Sequence, residues 1–446
     1  MNMSKNIVII GNGISGITCA RHIRKLSNHR ITVISSESEH FFSRTALMYV
    51  YMGHMKFEHT KPYEDFFWEK NKIEIVKKFV KQVDTKNKLL LFSDGSSISY
   101  DILVLATGSK PNKLGWAGQD LKGVQGLYSL QDLEQMEVNS RNVSSAVIVG
   151  GGLIGIEMAE MLRSRQIGVT FLVRDKNFWD SILPLEEAKM INRHIQEHHV
   201  DLRLEVELKE IKGDSSGRVS SIVTNKGEEI PCQFVGLTVG VSPNIDFLTD
   251  SGIEIDRGIL INAYFETNVP GIYAIGDCAQ FNQPLKGRKS IEQVWYTGRM
   301  HGETLAKTIC DERTAYSPGH WFNSAKFFDI EYQTYGLVSS KLSENELTFY
   351  WEHSNGKINF RLVYDKNDGH IIGFNAFGFR LRHEVCDKWL SERRSIDYII
   401  ERLAEANFDP EFYRQHESDI LEHYNKESGK SLKLKSRKGL FTTFLK

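Results

Sequence analysis

No two of the five cysteines lie close enough in sequence to form a CxxC or CxxxxC pair: Cys19, Cys232, Cys278, Cys310 and Cys386 are odd in number and scattered. That spacing suits neither a disulfide framework nor a zinc ribbon, and predicts a reducing, cytoplasmic setting. Apolar runs stay well short of the roughly 18 residues that a membrane-spanning helix needs. With 56 Lys and Arg against 57 Asp and Glu, the net charge of −1 selects neither nucleic acid nor a lipid surface. His40, His54, His59 and the pair His198-His199 lack ligand spacing with cysteines or acids, so no metal is expected. The chain enters an apolar strand at Ile7, which leaves no room for a leader peptide. Its 446 residues are too many for one core, and two or three domains are expected.

What the chain does have is glycine at two special places. Ile7–Ile10 reads as a buried parallel strand, Gly11-Asn12-Gly13-Ile14-Ser15-Gly16 as a turn, the stretch to about Leu26 as a helix, and Ile31–Ile34 as a second strand. In such a unit Gly11 permits the tight turn, Gly13 admits a pyrophosphate to the backbone, and Gly16 lets helix and strand pack. The helix N-terminus favours the diphosphate charge. Glu37 follows at the distance where an acid binds a ribose hydroxyl; a shift of register by one or two residues would give that place to Ser35 or Ser36. A lone GxGxxG is often only a tight turn, but the complete unit predicts dinucleotide binding. The pattern recurs: strand Ala146–Val149, turn Gly150-Gly151-Gly152-Leu153-Ile154-Gly155, helix Ile156–Ser164, strand Val169–Val173. Two such units imply electron transfer between a nicotinamide donor and a flavin acceptor.

Two further segments carry a resemblance. Tyr100-Asp101-Ile102-Leu103-Val104-Leu105-Ala106-Thr107-Gly108-Ser109 and Thr267-Asn268-Val269-Pro270-Gly271-Ile272-Tyr273-Ala274-Ile275-Gly276-Asp277, taken with the two turns, resemble the two-dinucleotide-binding flavoproteins, or pyridine nucleotide–disulfide oxidoreductase class, over roughly residues 5–310. The resemblance implies FAD at the first turn, through Gly11, Gly13, Ser15, Gly16, Glu37, Arg44, Thr107, Gly108 and Gly276. Asp277 would bond the ribityl chain and the Val80 backbone would meet the adenine end. It places NADPH or NADH at the second turn, through Gly150, Gly152, Ile154, Gly155, Glu157, Arg174 and Gly240. The implied fold is α/β: two Rossmann-like dinucleotide-binding domains plus a C-terminal α+β domain. The implied boundaries are 1–115 with 245–318 for FAD, 116–244 for NAD(P) and 319–425 for the third domain; the locally basic stretch 426–446 reads as a disordered, solubilising tail or as an electrostatic contact for an acidic carrier protein or anionic lipid.

The end of the second strand bears on NADH against NADPH. An acid there binds the 2′-hydroxyl of NAD, whereas an arginine accepts the 2′-phosphate of NADP. Leu172-Val173-Arg174-Asp175-Lys176 offers Arg174 and so favours NADPH, with Asp175 and Asp180 as the contrary signs.

Phe42-Ser43-Arg44-Thr45-Ala46-Leu47-Met48-Tyr49 bears on the acceptor. It resembles the loop of coenzyme A-disulfide reductases, but Thr45 stands at the redox cysteine, and a hydroxyl cannot perform thiol exchange. Asp409 likewise stands where dithiol members carry a histidine. Phe42, Arg44 and Leu47 also fit the loop of ferredoxin, rubredoxin and nitrite reductase flavoproteins, although those have lysine where Tyr49 stands. By that resemblance Glu157 and Tyr49 sit near the flavin–nicotinamide junction, and Leu153 replaces a tyrosine gate.

The expected activity is therefore hydride transfer from NAD(P)H to FAD, then electron transfer to a ferredoxin- or rubredoxin-like carrier. Two alternatives stay open: an NAD(P)H oxidase or quinone reductase, and a nucleotide-sensing protein similar to apoptosis-inducing factor. Strands over Lys357–Tyr364 and His370–Phe374, around an Asn367-Asp368-Gly369 turn, and helix from His383 to Ala406 are expected in the third domain. In many relatives that domain forms a homodimer interface.

Overall fold

The parallel strands predicted around the first glycine turn form the middle of a five-stranded sheet. The computed structural model describes residues 4–408 and 414–435 of the chain. They fall into two compact units, Met1–Gly150 with Met158–Thr170 and Glu207–Pro318, and Gly151–Glu157 with Phe171–Val206 and Gly319–Lys446. The architecture is the expected α/β class with a C-terminal α+β part.

In the first unit the sheet order is Ile272–Ala274, Ile102–Leu105, Asn6–Ile10, Arg30–Ser35, Ile73–Lys77, every pair parallel. A central parallel strand is covered on both faces, which is why Ile7, Val8 and Ile9 form an unbroken apolar run and are fully buried. The helix Ile14–Leu26 packs on the helix Trp295–Ile309. Their contact is made at backbone level: a Cβ on Gly302 would lie 2.5 Å from the Ser15 carbonyl oxygen. Elsewhere in this unit Phe234–Leu237 pairs in parallel with both Ser145–Val149 and Val124–Gln125.

The second unit contains a five-stranded antiparallel sheet in the order Phe322–Phe327, Ile330–Gly336, Ile371–Phe377, Asn359–Asp365, Glu346–Glu352. The two predicted strands are there, joined through a turn in which Gly369 has φ 69°. The predicted helix from His383 to Ala406 is not continuous. It is three pieces, His383–Ser391, Ile396–Glu401 and Leu403–Ala406. Arg393 adopts φ 49°, and Ser395 starts the next piece by accepting a hydrogen bond from Tyr398 N at 3.3 Å. The apolar period survived because Trp389, Ile396, Ile399, Ile400 and Leu403 all reach one core; periodicity reports the buried face, not helix continuity.

The expected tail begins inside a helix and stays exposed from Lys426 to Ser431. The helix Glu417–Ser428 runs into it and stops at Gly429, which takes the left-handed conformation at φ 69°. Lys430 then bonds both oxygens of Asp397, at 2.8 and 2.7 Å, and Lys435 bonds Glu401. Residues 436–446, with Arg437 and Lys438, lie outside the described residues, as does Asp409.

This unit also holds a buried ion pair. Glu187, on the helix Leu185–Glu197, is fully buried; its Oε1 accepts from Arg361 Nε at 2.9 Å and its Oε2 from Asn375 Nδ2 at 2.8 Å. Arg361, on the central sheet, bonds Glu186 and Thr348 as well and lies 4.6 Å from the Tyr350 ring centroid. Burial outweighs the arginine and pushes Glu187 up to about 6.

Candidate functional site

In the first unit, three parallel strands end side by side, and each hands the chain to a segment singled out in the sequence. Ile10 leads into Gly11, Leu105 into Ala106-Thr107-Gly108, and Ala274 into Gly276-Asp277. Carboxyl ends of parallel strands are where open α/β sheets bind ligands. Gly11 has φ 115°, and a Cβ on it would stand 2.0 Å from the Ala106 carbonyl oxygen; one on Gly16 would stand 2.1 Å from the Gly11 oxygen. Gly13 is different: no heavy atom lies within 4 Å of its Cβ position. Asn12 pins the turn, its Nδ2 donating to the carbonyls of Ser38 and His40 at 3.1 and 3.2 Å.

The predicted residues beside this turn form a connected polar network. Arg44 holds Glu37 through two parallel bonds of 2.8 and 2.7 Å. Glu37 Oε1 also accepts from Leu130 N at 2.8 Å. Arg44 Nη1 donates to the Tyr128 carbonyl at 2.7 Å, and its guanidinium lies 4.6 Å from the Tyr128 ring centroid. The Tyr128 hydroxyl donates to Asp277 Oδ2 at 3.1 Å and accepts from Ser109 N at 3.0 Å. Burial pushes the Asp277 carboxyl up, against the pull of Tyr128, Arg44 and Ser109. The network thus runs Glu37–Arg44–Tyr128–Asp277. Tyr128 was not among the residues expected from sequence. The available signal was the capping box at Ser129 and Asp132, which sets Tyr128 just before the helix Leu130–Asn139.

His301, also unforeseen, stands behind Asp277. Its Nδ1 accepts from Gly276 N at 3.1 Å, and the ring is packed by Phe265 and Tyr316. Burial, with the nearby charge of Arg288, pushes its pKa down to about 3. Between about pH 6.5 and pH 3 the unfolded chain therefore binds a proton that the folded chain refuses. The stability from neutral His301 is complete above that window and is lost as pH falls through it. His301→Gln should make the melting temperature less sensitive to acid between pH 6.5 and 4; an unchanged acid slope would contradict this.

Other predicted positions behave differently. Val80 is buried in a hairpin opposite Phe92. Thr107 Oγ1 donates to the Asn244 carbonyl at 2.8 Å. The Tyr49 ring stacks on His54, with centroids 6.1 Å apart.

The second turn repeats the first in backbone form. Gly150 has φ 115°, and a Cβ on it would stand 2.5 Å from the Thr238 carbonyl oxygen. Gly240, at φ 88°, accepts through its carbonyl from Asn112 N at 3.1 Å. In the second unit, a Cβ on Gly151 would meet the Val173 side chain at 2.7 Å, whereas Gly152 has nothing within 4 Å. Gly155 is buried, and Ile154 and Glu157 are half-buried on the helix that follows. The Arg174 side chain is 73% exposed, with Asp175 at 3.7 Å; Asp180 accepts from Asn177 at 3.1 Å.

All five cysteines are free thiols. Burial raises every one of them, Cys232 to about 12. None offers the thiolate that disulfide exchange requires.

Residues 5–302 match the family described as pyridine nucleotide-disulphide oxidoreductase. The chain belongs to that family. FAD and NAD(P)H are the family's typical cofactors. The assimilatory nitrate reductase electron transfer subunit of Bacillus subtilis (strain 168) is 25% identical over 393 residues, 87% of this chain and 50% of the relative. The Bacillus subtilis nitrite reductase [NAD(P)H] is 30% identical over 62% of this chain but only 34% of its own length. The chain therefore spans half or less of these two family members. A ferredoxin–NAD(P)(+) reductase of Sphingomonas sp is 29% identical over 75% of this chain and 81% of the relative. The NADH oxidase of Methanocaldococcus jannaschii is 29% identical over 83% and 87%. Among solved structures, the NAD-dependent persulfide reductase from A. fulgidus superposes with TM-score 0.82 at 23% identity, over 95% of this chain and 84% of that one. The covalent putidaredoxin reductase–putidaredoxin complex gives 0.77 at 20%, over 88% and 94%. These two establish the fold. Among the described residues no helix is long and apolar enough to cross a membrane.

Proposed function

We propose that the chain is a FAD-dependent NAD(P)H:acceptor oxidoreductase that passes electrons to a small carrier protein of the ferredoxin or rubredoxin kind. The observation that carries this reading is the paired glycine turn: Gly11 and Gly150 share one φ, and each closes against the backbone after a neighbouring strand. The first turn fits an FAD diphosphate, because Gly13 leaves its backbone open while Gly11 and Gly16 exclude any larger residue. Gly11, Gly13, Ser15 and Gly16 would hold the diphosphate. Glu37, held by Arg44, would meet the ribose, and Asp277, set by Tyr128 and the Gly276–His301 bond, the ribityl chain. FAD supplies the redox chemistry when bound, taking a hydride and releasing electrons singly. In the same unit, the backbone around Gly150 and Gly240 would hold the nicotinamide nucleotide.

The acceptor follows by chemistry and by likeness. Five thiols raised by burial leave the chain no disulfide relay of its own. The Sphingomonas relative is named for ferredoxin. A second reading, an oxidase using dioxygen, draws on the Methanocaldococcus relative. Turnover with oxygen alone, set against turnover with added ferredoxin or rubredoxin, separates the two. Stimulation by a carrier supports the proposal; full turnover with oxygen and none added by a carrier supports the oxidase.

NADPH is the proposed donor. An exposed guanidinium such as Arg174 suits a 2′-phosphate, and one charge-assisted bond contributes about 1.5–3 kcal/mol. Arg174→Ala should raise the KM for NADPH about 10- to 100-fold and leave NADH within about twofold. Equal effects on both would refute the assignment.

A further inference from the structure

The second unit brings together two histidines and an aspartate that the nucleotide reading does not use. His194 and His198 stand one helical turn apart at the end of the helix Leu185–Glu197. Asp329 comes from the tight hairpin between Phe322–Phe327 and Ile330–Gly336. Asp329 Oδ1 lies 2.6 Å from His194 Nε2 and 2.9 Å from His198 Nε2. One ligand atom from each of the three residues falls within 4.8 Å of the others.

Two observations make this more than a chance meeting of polar groups. The His194 side chain is 1% exposed, and its Nε2 makes no hydrogen bond even though Asp329 Oδ1 is close, so the ring nitrogen points past that oxygen rather than along a bond to it. The division of Asp329 is the other. Its Oδ2 is taken by Lys357 Nζ at 3.4 Å, which leaves Oδ1 to the two imidazoles. His198 is further held flat against Phe328, with ring centroids 4.2 Å apart and planes within 6°. Phe328 is buried and closes one side of the cluster.

We propose that His194, His198 and Asp329 form a binding site for a borderline divalent cation, of which zinc(II) is the type. Two neutral imidazoles and one carboxylate oxygen make a donor set of that class, and two histidines at i and i+4 present both rings on one helix face. Bonds of about 2.0–2.1 Å set tetrahedral ligands roughly 3.3 Å apart, so Asp329 has to retreat by about half an ångström. It sits in a two-residue turn, where that movement needs no change in a strand. Bound there, the cation ties the helix end to the hairpin. The sequence concealed this set because Asp329 lies 131 residues from His198.

The test is zinc binding by the full chain after dialysis against chelator, read as zinc per chain and as melting temperature. One zinc per chain is expected, with a rise of about 5–10 °C when free zinc is a hundredfold above Kd. His198→Gln and Asp329→Asn should each lose the zinc and the rise while melting as the zinc-free parent does. Should a variant fail to fold, X-ray absorption on the zinc-loaded parent decides: a nitrogen and oxygen shell with imidazole scattering supports the site, and sulfur ligands overturn it. No retained zinc in the parent, or zinc retained by both variants, overturns it as well. The outcome is independent of flavin content and so separable from the proposed function.

Discussion

Gly11→Ala is expected to lower the first thermal transition by roughly 10 °C and to yield colourless protein. The added methyl lands 2.0 Å from the Ala106 carbonyl, at a φ of 115° that an L-residue rarely adopts. Left-handed strain costs about 1–3 kcal/mol and overpacking about the same again, and each kcal/mol moves the melting point of a 150–250-residue unit by about 2–4 °C. Gly13→Ala supplies the contrast. Its Cβ meets nothing within 4 Å, and its φ of −72° suits any residue. It should melt within about 3 °C of the parent yet lose flavin more than about tenfold, because the methyl occupies the path by which a diphosphate reaches the backbone. Bound flavin is measured by absorbance after gel filtration, and melting by circular dichroism. If Gly13→Ala kept its flavin, the first turn would not be the diphosphate site.

Arg361→Met should destabilise the second unit by about 3–5 kcal/mol, since it leaves the fully buried Glu187 without its cation. Replacing both partners, with Glu187→Leu added, should recover at least half of the loss, because an apolar pair avoids desolvating two charges. Urea unfolding measures both. A single substitution costing less than about 1 kcal/mol would mean that Glu187 simply takes up a proton and needs no partner, in line with the upward push that burial already gives it.

The glycine turns of the candidate site were legible in the sequence, and the reason is steric. Gly11 and Gly150 stand where any side chain would enter the backbone just after a neighbouring strand, and Gly16 where it would enter the Gly11 carbonyl, so the requirement is written in single residues. The buried parallel strands were legible for a similar reason, since burial on both faces leaves an unbroken apolar run. Side-chain partnerships between distant segments were not. Tyr128 meets Asp277 across 149 residues and Arg361 meets Glu187 across 174, and no local spacing encodes either pair. The same limit concealed the histidine–aspartate cluster, in which His198 and Asp329 lie 131 residues apart. The C-terminal helices failed for a local reason: Ser395 is a capping residue, but the apolar period on both sides of it overrode that signal.

The central claim is tested most directly by anaerobic titration of the purified full chain, supplied with FAD, with NADPH and with NADH. The account predicts a yellow protein whose flavin absorbance bleaches on stoichiometric addition of the reduced nucleotide, faster with NADPH, and returns when an oxidised ferredoxin or rubredoxin is added. A chain that stays colourless in excess FAD, or a bound flavin that neither nucleotide reduces, would contradict it.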